Sequence, residues 1–327
     1  MTAPRTPAIA FWGTPACAAQ CLEHLVANGM RVVAAITQPD KPAGRKQTLG
    51  KPPVKSVAEN AGIPVLQPAS LKNSEVKETI AALDCSYHAV VAYGTILPTS
   101  LLASAPPFIN LHFSLLPKYR GAAPVQRALM DGCRQTGVTV QHVAEQCDTG
   151  DIILQQPLDV NDDDTTSSVL DRCVAIGAPL LLEALVKLDA GAAPRTPQDH
   201  TLASLAPKIG KHDGFIVWEQ PASRIHNQIR ACNPWPGATT WFDATPVRVW
   251  KAAVADAAAT DVCPGALVPA KHKLLVGTSC GIIELLEIQP ANGRRMPGDA
   301  FIAGHRGGSG TFISWLPGAG HGDTAAS

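Results

Sequence analysis

The sequence predicts an α/β protein in which a parallel sheet domain is followed by a small β-barrel. Over the first 190 residues, short and almost continuously apolar segments alternate with helical patterns, as in parallel sheets that helices cover on both faces. Beyond residue 207, strand-like segments are short, closely spaced and separated by proline and glycine, which favours a barrel. A chain of 327 residues is long enough for two such domains.

The first domain begins with a buried strand over 8–12, followed by a turn at Gly13 and a helix over 16–28 that Gly29 ends. Apolar runs predict four more strands, over 31–37, 63–66, 87–93 and 108–113. Helical patterns between the strands predict helices over 54–60, 74–83 and 124–131. The order of these elements is that of a parallel sheet.

The last part of the first domain changes its pattern. Two segments that alternate between apolar and polar residues, 138–143 and 152–160, lie close in sequence and predict an antiparallel pair at the edge of the sheet. One long helix is predicted over 165–188. The proline- and glycine-rich stretch 191–197 then has the composition of a linker.

The second domain is predicted to contain one helix and several short strands. The helix covers 224–232, and the strands cover 239–242, 247–251, 266–269, 274–276, 282–288 and 301–303. Residues 305–327 contain six glycines, which predicts a poorly ordered tail.

Composition excludes several classes of protein. Lys and Arg together number 27, and so do Asp and Glu, which excludes binding of nucleic acid by bulk positive charge. Nine cysteines without a C-x-x-C pair argue against a disulfide framework and favour a reducing compartment. No run of about 18 apolar residues predicts a membrane span, and the segment before the first strand is too short for a targeting peptide. A cytoplasmic protein is therefore expected.

Three partial motifs lack residues that a dinucleotide site, a P-loop or a zinc site needs. The turn at Gly13 follows a strand and precedes a helix, but it lacks the G-x-G-x-x-G pattern of dinucleotide sites. The segment 44–51 has one residue too many for a P-loop, and Pro52 stands where Ser or Thr would bind magnesium. Cys17 and Cys21 lack the partners that a zinc site needs. No metal is predicted.

One stretch carries residues suited to chemistry. Asn110 and His112 lie two apart on a predicted strand, so both side chains point to one face near its carboxyl end. Asp148 follows in a turn between two predicted strands. An amide donor, an imidazole and a carboxylate together suit acyl transfer to an amine, in which an oxyanion forms and protons move. Taken alone, the same residues also fit a structural histidine and an aspartate that caps a turn.

The combination of three motifs decides between these interpretations. Asn-x-His-x-Ser-Leu-Leu-Pro from Asn110, Arg-Gly-Ala-Ala-Pro-x-Gln-Arg-Ala from Arg120 and Asp-x-Gly-Asp-Ile from Asp148 closely resemble the formyltransferases that use 10-formyltetrahydrofolate. Within that family the chain is most similar to the members that act on methionyl-tRNA. The likeness also covers the segments 11–15, 38–45, 91–98, 206–209 and 233–238.

The resemblance implies an architecture and a reaction. It implies a Rossmann-like catalytic domain over 1–190, a linker over 191–206, an OB-type tRNA-binding barrel over 207–315 and a flexible tail over 316–327. The reaction is formyl transfer from 10-formyltetrahydrofolate to the amino group of initiator methionyl-tRNA. The implied partners are that tRNA and the folate, with neither metal nor membrane, and the enzyme is expected to be a monomer.

The resemblance also implies roles for individual residues. Asn110 and His112 stabilise the oxyanion, and Asp148 holds His112. The folate site is lined by Tyr93, Gly94, Ser114, Leu115, Leu116 and Pro117. Contacts to tRNA come from Lys41, Arg45, Lys46, Lys51, Lys208 and Lys211.

Other functions remain open at this level. A formyltransferase that acts on an amino-sugar nucleotide shares the first domain and has a related second one. A hydrolase of 10-formyltetrahydrofolate shares the same three residues. An RNA-binding OB-fold protein with an inactive enzyme half is the alternative from another class.

Overall fold

The computed structural model describes residues 6–43, 48–243, 245–304 and 310–314. Two compact units are present. The first unit comprises the described residues up to Arg127, together with Arg134–Asp162 and Ser168–Lys208. The second unit comprises Ala128–Cys133, Asp163–Ser167 and the described residues from Ile209 onwards. Within the described part of the chain, no helix is both long and apolar enough to cross a membrane.

The strands of the first unit follow the predicted order. They are β1 (Ala8–Gly13), β2 (Arg31–Ile36), β3 (Lys41–Ala43), β4 (Thr48–Gly50), β5 (Val65–Leu66), β6 (Tyr87–Val91), β7 (Phe108–His112), β8 (Gln135–His142) and β9 (Ile152–Asp159). The helices are α1 (Ala16–Ala27), α2 (Pro53–Asn60), α3 (Ser74–Ala81), α4 (Thr99–Ser104), α5 (Pro124–Met130) and α6 (Thr166–Asp189). The last three residues of α5 and the first two of α6 belong to the second unit. The hairpin β3–β4 and helix α4 are additions to the predicted elements.

Seven of these strands form one sheet in the order β5-β2-β1-β6-β7-β8-β9. The first five are parallel, whereas β8 and β9 run antiparallel at the edge. The parallel sheet and the antiparallel edge pair are therefore confirmed. Because parallel strands end together, the carboxyl ends of β1, β6 and β7 share one edge of the sheet.

Buried aromatic side chains on β1, β6 and β7 pack against one another. Trp12 is fully buried, and its indole Nε1 donates to Nδ1 of His88 at 3.0 Å. His88 is itself fully buried and stacks on Phe108, with 4.3 Å between ring centroids. Burial lowers the pKa of His88 to about 4. The imidazole is therefore neutral in the folded protein at physiological pH.

This buried histidine predicts a loss of stability in mild acid. Unfolded His88 takes up a proton near its ordinary pKa of 6.5, whereas the folded protein resists protonation down to about 4. Its contribution is therefore complete above pH 6.5 and is lost as the pH falls from 6.5 towards 4, by about 2 kcal/mol at pH 5. Urea unfolding at pH 7.5 and pH 5 measures the difference. His88→Gln should flatten it, and His24→Gln, on the partly exposed side of α1, is the matched control.

The second unit contains an antiparallel sheet that closes on itself. Its strands are β10 (Ala238–Phe242), β11 (Thr245–Asp256), β12 (Leu267–Val268), β13 (Leu275–Gly277), β14 (Ile282–Pro290), β15 (Met296–Pro297) and β16 (Phe312–Ile313), and its helices are α7 (Ala222–Ala231) and α8 (Gly298–Gly304). The sheet order is β12-β13-β14-β11-β10-β16, with β15 on β14. A bridge between Ala266 and Thr311 joins the two ends, so the predicted small barrel is confirmed.

Two predictions for the second unit are wrong. Residues 301–303 lie in helix α8, not in a strand, because a run of three apolar residues cannot distinguish the two. Phe301 is buried from that helix against Phe242 and Phe312. The tail predicted from residue 305 includes strand β16, which pairs with β10. The remaining tail residues, 305–309 and 315–327, lie outside the described residues.

Candidate active site

A cavity of about 460 Å³ opens at the carboxyl end of β6 and β7. Its wall includes Asn110, His112 and Asp148, so the structure brings the three predicted catalytic residues together. The other lining residues come from four stretches of chain: Val90 and Ala92–Leu97; Leu111 and Phe113; Gly121, Ala122 and Pro124; and Gln141, Val143–Glu145 and Cys147.

Strand β7 supplies the first two residues of the site. Asn110 pairs with Val90 of the parallel neighbour β6, and on the other side with Gln141 of the antiparallel strand β8. His112 is opposite Thr139 of β8 and is 6% exposed. The sheet register therefore fixes the positions of both backbones, and residues two apart share one face.

The third residue, Asp148, is held by converging hydrogen-bond donors. Its Oδ1 accepts from Nε2 of Gln141 at 3.0 Å and from Nδ2 of Asn110 at 3.4 Å. Its Oδ2 accepts from the backbone N–H of Gly121 at 2.9 Å. The Cys147 thiol donates to the same oxygen at 3.2 Å, and burial together with the Asp148 charge raises the thiol pKa to about 12. Four donors thus fix the two oxygens of this partly buried carboxylate.

The orientation of His112 follows from its two ring nitrogens. Nε2 lies 2.9 Å from the carbonyl oxygen of Tyr119, and a carbonyl can only accept, so Nε2 carries a hydrogen. Nδ1 lies 3.6 Å from Oδ1 of Asp148. Tyr119 has a φ of 61°, a left-handed conformation that is uncommon outside glycine. The nitrogen that faces the carboxylate is therefore Nδ1.

The residues predicted for folate separate into two groups. Tyr93 and Gly94 line the cavity. Ser114 is fully buried, and its hydroxyl donates to the carbonyl of Lys118 at 2.6 Å. Leu116 is buried before a cis peptide bond to Pro117. Among the described residues that line this cavity, none comes from the stretch 114–117, so its role in folate binding stays a prediction.

The cations predicted for tRNA binding lie on both units. On the first unit, Lys41 in β3, Lys51 and Lys208 are exposed. Lys51 pairs with Glu59 at 2.9 Å. On the second unit, Lys211 is exposed at the start of a short 3-10 helix, Lys211–Gly214. Arg45 and Lys46 lie outside the described residues.

The base of the hairpin β3–β4 is fixed by a polar cluster. Lys55 pairs with Asp40 at 2.7 Å, and Gln67 donates to the other oxygen of that carboxylate at 2.7 Å. The hydrogen bond from Gln67 and, to a smaller extent, that from Lys55 hold the pKa of Asp40 below its usual value. Lys55 is thus neutralised within the protein.

Sequence reasoning missed two glutamines that complete the site. Gln141 lies on β8 opposite Asn110 and contacts Asp148, and its place in a buried strand is a signal that could have been used. Gln198 lies in the stretch predicted as a linker, and its amide donates to the carbonyl of Asp148 at 3.0 Å. The proline- and glycine-rich composition around Gln198 gave no signal of this contact.

The turn that carries Asp148 depends on a small residue at Gly150. A Cβ at this position would lie 1.8 Å from the carbonyl oxygen of His142, so a larger residue would force the turn to move. We expect Gly150→Ala to lower the stability of the first unit by about 1–3 kcal/mol. Thermal unfolding measures the loss. Gly210→Ala is the control, because a Cβ there meets its nearest atom at 3.7 Å, and an equal shift in both variants would contradict the steric argument.

The sequence matches two family models that together cover most of the chain. Residues 7–185 match the formyl transferase domain, and residues 208–306 match the formyl transferase C-terminal domain. The methionyl-tRNA formyltransferase of Desulforamulus reducens is 40% identical over 96% of this chain and 99% of its own length. That of Moorella thermoacetica is 42% identical over 91% of this chain and 96% of its own length.

Solved structures share the fold at lower identity. An N-formyltransferase from Helicobacter canadensis, in complex with folinic acid and dTDP-3-aminofucose, has a TM-score of 0.65 at 19% identity and covers 86% of this chain and 99% of its own. HypX from Aquifex aeolicus, in complex with tetrahydrofolic acid, has a TM-score of 0.61 at 15% identity, over 92% of this chain and 48% of its own. From the matched domains and the full-length relatives, we conclude that this chain belongs to the formyl transferase family.

Proposed function

We propose that this protein transfers the formyl group of 10-formyltetrahydrofolate to the amino group of initiator methionyl-tRNA, producing formylmethionyl-tRNA for translation initiation. The observation that carries the proposal is the identity of about 40% to methionyl-tRNA formyltransferases across more than 90% of the chain. That likeness includes both the part that holds Asn110, His112 and Asp148 and the C-terminal barrel. The proposed enzyme is a cytoplasmic monomer whose partners are this tRNA and folate.

The cavity fits a folate-type formyl donor. Its volume of about 460 Å³ lies in the range of small-molecule sites, roughly 300–1,000 Å³. Apolar side chains such as Val90, Leu97 and Val143 line it, and polar groups gather at Asn110 and His112. A flat heterocycle can pack against such walls while its reactive end meets the polar groups. 10-Formyltetrahydrofolate supplies the formyl group when it is bound.

Asn110 and His112 supply the donors that the proposed reaction needs. Attack by the amine on the formyl carbon forms a carbon–nitrogen bond and places negative charge on the formyl oxygen. In the proposal, the Asn110 amide and the Nδ1–H of the protonated His112 ring donate hydrogen bonds to that oxygen, since the Nε2–H is held by the carbonyl of Tyr119. Donors fixed in advance stabilise such charge strongly in a site that excludes water.

Asp148 and His112 transfer the protons that the reaction releases and consumes after the amine has attacked. The attacking amine has a surplus proton after the bond forms, and the folate nitrogen needs one when the old carbon–nitrogen bond breaks. In the proposal, a water held by Asp148 takes the first proton, and Nδ1 of the protonated His112 ring delivers the second. The proton on the water then passes to Nδ1, which restores the ring. Asp148, 3.6 Å from Nδ1, stabilises the imidazolium form between the two steps.

A transfer assay tests the proposed function. Purified protein is mixed with 10-formyltetrahydrofolate and charged initiator methionyl-tRNA, with uncharged tRNA and an amino-sugar nucleotide as parallel acceptors. We expect formylation of methionyl-tRNA only. Formylation of the sugar nucleotide, or loss of the formyl group to water without product on tRNA, would contradict the proposal and favour the alternatives.

A further inference from the structure

We propose that the segment 196–206, named here the strap, positions the catalytic pair, with Gln198 acting on Asp148 and Ser204 acting on His112. The inference rests on the proposed function for the roles of those two partners. It assigns two positioning residues to a stretch within the implied linker 191–206.

The strap is attached to the first unit at both ends by backbone hydrogen bonds. At its start, Thr196 and Ile152 exchange two bonds of 2.8 and 2.9 Å. At its end, Arg120 donates to the carbonyl of Ser204 at 2.8 Å and accepts from Ala206 at 2.6 Å. The two attachment points follow Asp148 and His112 in the chain by four and eight residues.

Between these attachments, polar contacts predominate. Within 191–200, all of which the structure describes, Gln198 is the only buried residue, and it is 6% exposed. Leu202 and Leu205 remain 60% and 79% exposed, so the strap contributes little apolar packing. Its effect on the site therefore depends on its hydrogen bonds.

The side-chain amide of Gln198 accepts hydrogen bonds through its oxygen and donates them through its nitrogen, and the first set of bonds fixes the direction of the second. Its Oε1 accepts from Nη2 of Arg120 at 2.6 Å and from Nε at 3.2 Å, which forces its NH₂ group to the opposite side. That NH₂ group donates to the carbonyls of Gly150 at 2.7 Å and Asp148 at 3.0 Å, and to Oε1 of Gln141 at 3.2 Å. The last contact turns Nε2 of Gln141 towards the Asp148 carboxylate, 3.0 Å away.

This chain of contacts fixes Asp148 at its backbone and at its carboxylate. Asp148 has a φ of 54°, so its turn is in a left-handed conformation that side chains rarely adopt. Gln198 holds the carbonyls of Asp148 and Gly150 within that turn. It also sets the direction of the amide that meets the carboxylate. Loss of the donors of Gln198 would release both constraints.

Ser204 acts on His112 through one peptide group. Its Oγ accepts from the backbone N–H of Tyr119 at 2.9 Å. The carbonyl of Tyr119, in the same left-handed residue, then receives the hydrogen on Nε2 of His112 at 2.9 Å. Ser204 thereby holds the residue whose carbonyl selects the tautomer of the catalytic ring, and the tautomer decides which nitrogen faces the reactants.

The first test replaces the donating NH₂ group of Gln198 by an oxygen and keeps the size of the side chain. Gln198→Glu keeps the acceptor for Arg120 but places an oxygen where three acceptors expect a donor. We expect kcat to fall by about 10- to 100-fold, while KM for both substrates stays within about twofold, since small displacements of catalytic groups affect mainly the chemical step. Thr201→Ala is the matched control, because Thr201 is exposed on the same strap and its hydroxyl bonds only to Asp199 in the hydrogen bonds described.

The second test follows the tautomer directly in the protein without substrates. Nitrogen-15 shifts of the His112 ring, assigned by their loss in His112→Asn, should show hydrogen on Nε2. Ser204→Ala should give averaged shifts and a kcat about tenfold lower. Ser204→Thr, which keeps the hydroxyl, should restore both. Thermal unfolding of each variant shows that it is folded.

The two tests separate this inference from the proposed function. Wild-type protein that does not formylate methionyl-tRNA overturns the proposed function, and the ring shifts still test the strap. If the Gln198→Glu and Ser204→Ala variants keep kcat within twofold of wild type, or Ser204→Ala leaves the His112 shifts unchanged, the strap has no positioning role.

Discussion

We expect His112→Ala to lower kcat for formyl transfer by about 10³-fold or more while leaving tRNA binding unchanged. His112 is proposed to donate to the oxyanion and to protonate the leaving nitrogen. Loss of one oxyanion donor costs about 10²–10³ in rate, and loss of acid–base catalysis about 10²–10⁴. The ring is buried in the cavity wall, where no other imidazole appears among the described lining residues. Single-turnover formylation measures the chemical step, and filter binding measures tRNA affinity.

The control for this variant is His142→Ala. His142 is the last residue of β8, in the same sheet, and burial lowers its pKa. It is absent from the described cavity lining, so its replacement should change kcat far less. Activity of His112→Ala within tenfold of wild type would show that the mechanism assigns the wrong residue.

The second large effect is expected for Asp148→Asn. The substitution is nearly isosteric, but it replaces one accepting carboxylate oxygen by a donating NH₂ group. Oδ1 of Asp148 receives donors from Gln141 and Asn110, and Oδ2 receives donors from Gly121 and Cys147. An NH₂ group at either position therefore faces two donors and can accept from neither. We expect kcat to fall by about 10³-fold and the free energy of unfolding to fall by about 1–3 kcal/mol.

The same substitution three residues later provides the control. Asp151 lies next to this turn, and its Oδ2 accepts from Nε of Arg195 at 2.6 Å in a partly exposed pair. Because exposed ion pairs contribute roughly 0–1 kcal/mol, Asp151→Asn should change activity and stability little. Equal loss in both variants would mean that general disturbance of the turn, and not the carboxylate of Asp148, explains the result.

The fold could be predicted where the signal is local. Strand–helix alternation identified the parallel sheet, and the alternating pattern around His142 identified the antiparallel edge. Helix α8 was missed because a run such as 301–303 is too short to show a period. The pairing of β16 was missed because it depends on contact with β10, far earlier in the chain.

The candidate site shows the same division. Residue types and spacing singled out Asn110, His112 and Asp148, and the resemblance of the surrounding motifs to formyltransferases decided their predicted role. Gln141 was missed although its place in a buried strand was a usable signal. Gln198 gave no signal, because its role consists of contacts with segments distant in sequence. Lys51 could be named as a cation from the sequence, but its pairing with Glu59 depends on the folded structure.

The contact between His112 and Tyr119 has a consequence for the path of the proton. A carbonyl oxygen cannot take over a proton at neutral pH, so the Tyr119 side of the imidazole is closed to exchange. In the proposed mechanism, Nδ1 is therefore the ring nitrogen that both releases a proton and recovers one. The proton that the product amine loses and the one that the departing nitrogen gains then pass through the same small volume between His112 and Asp148. Under that mechanism, turnover needs no proton supply from the bulk solvent on the Tyr119 side of the ring.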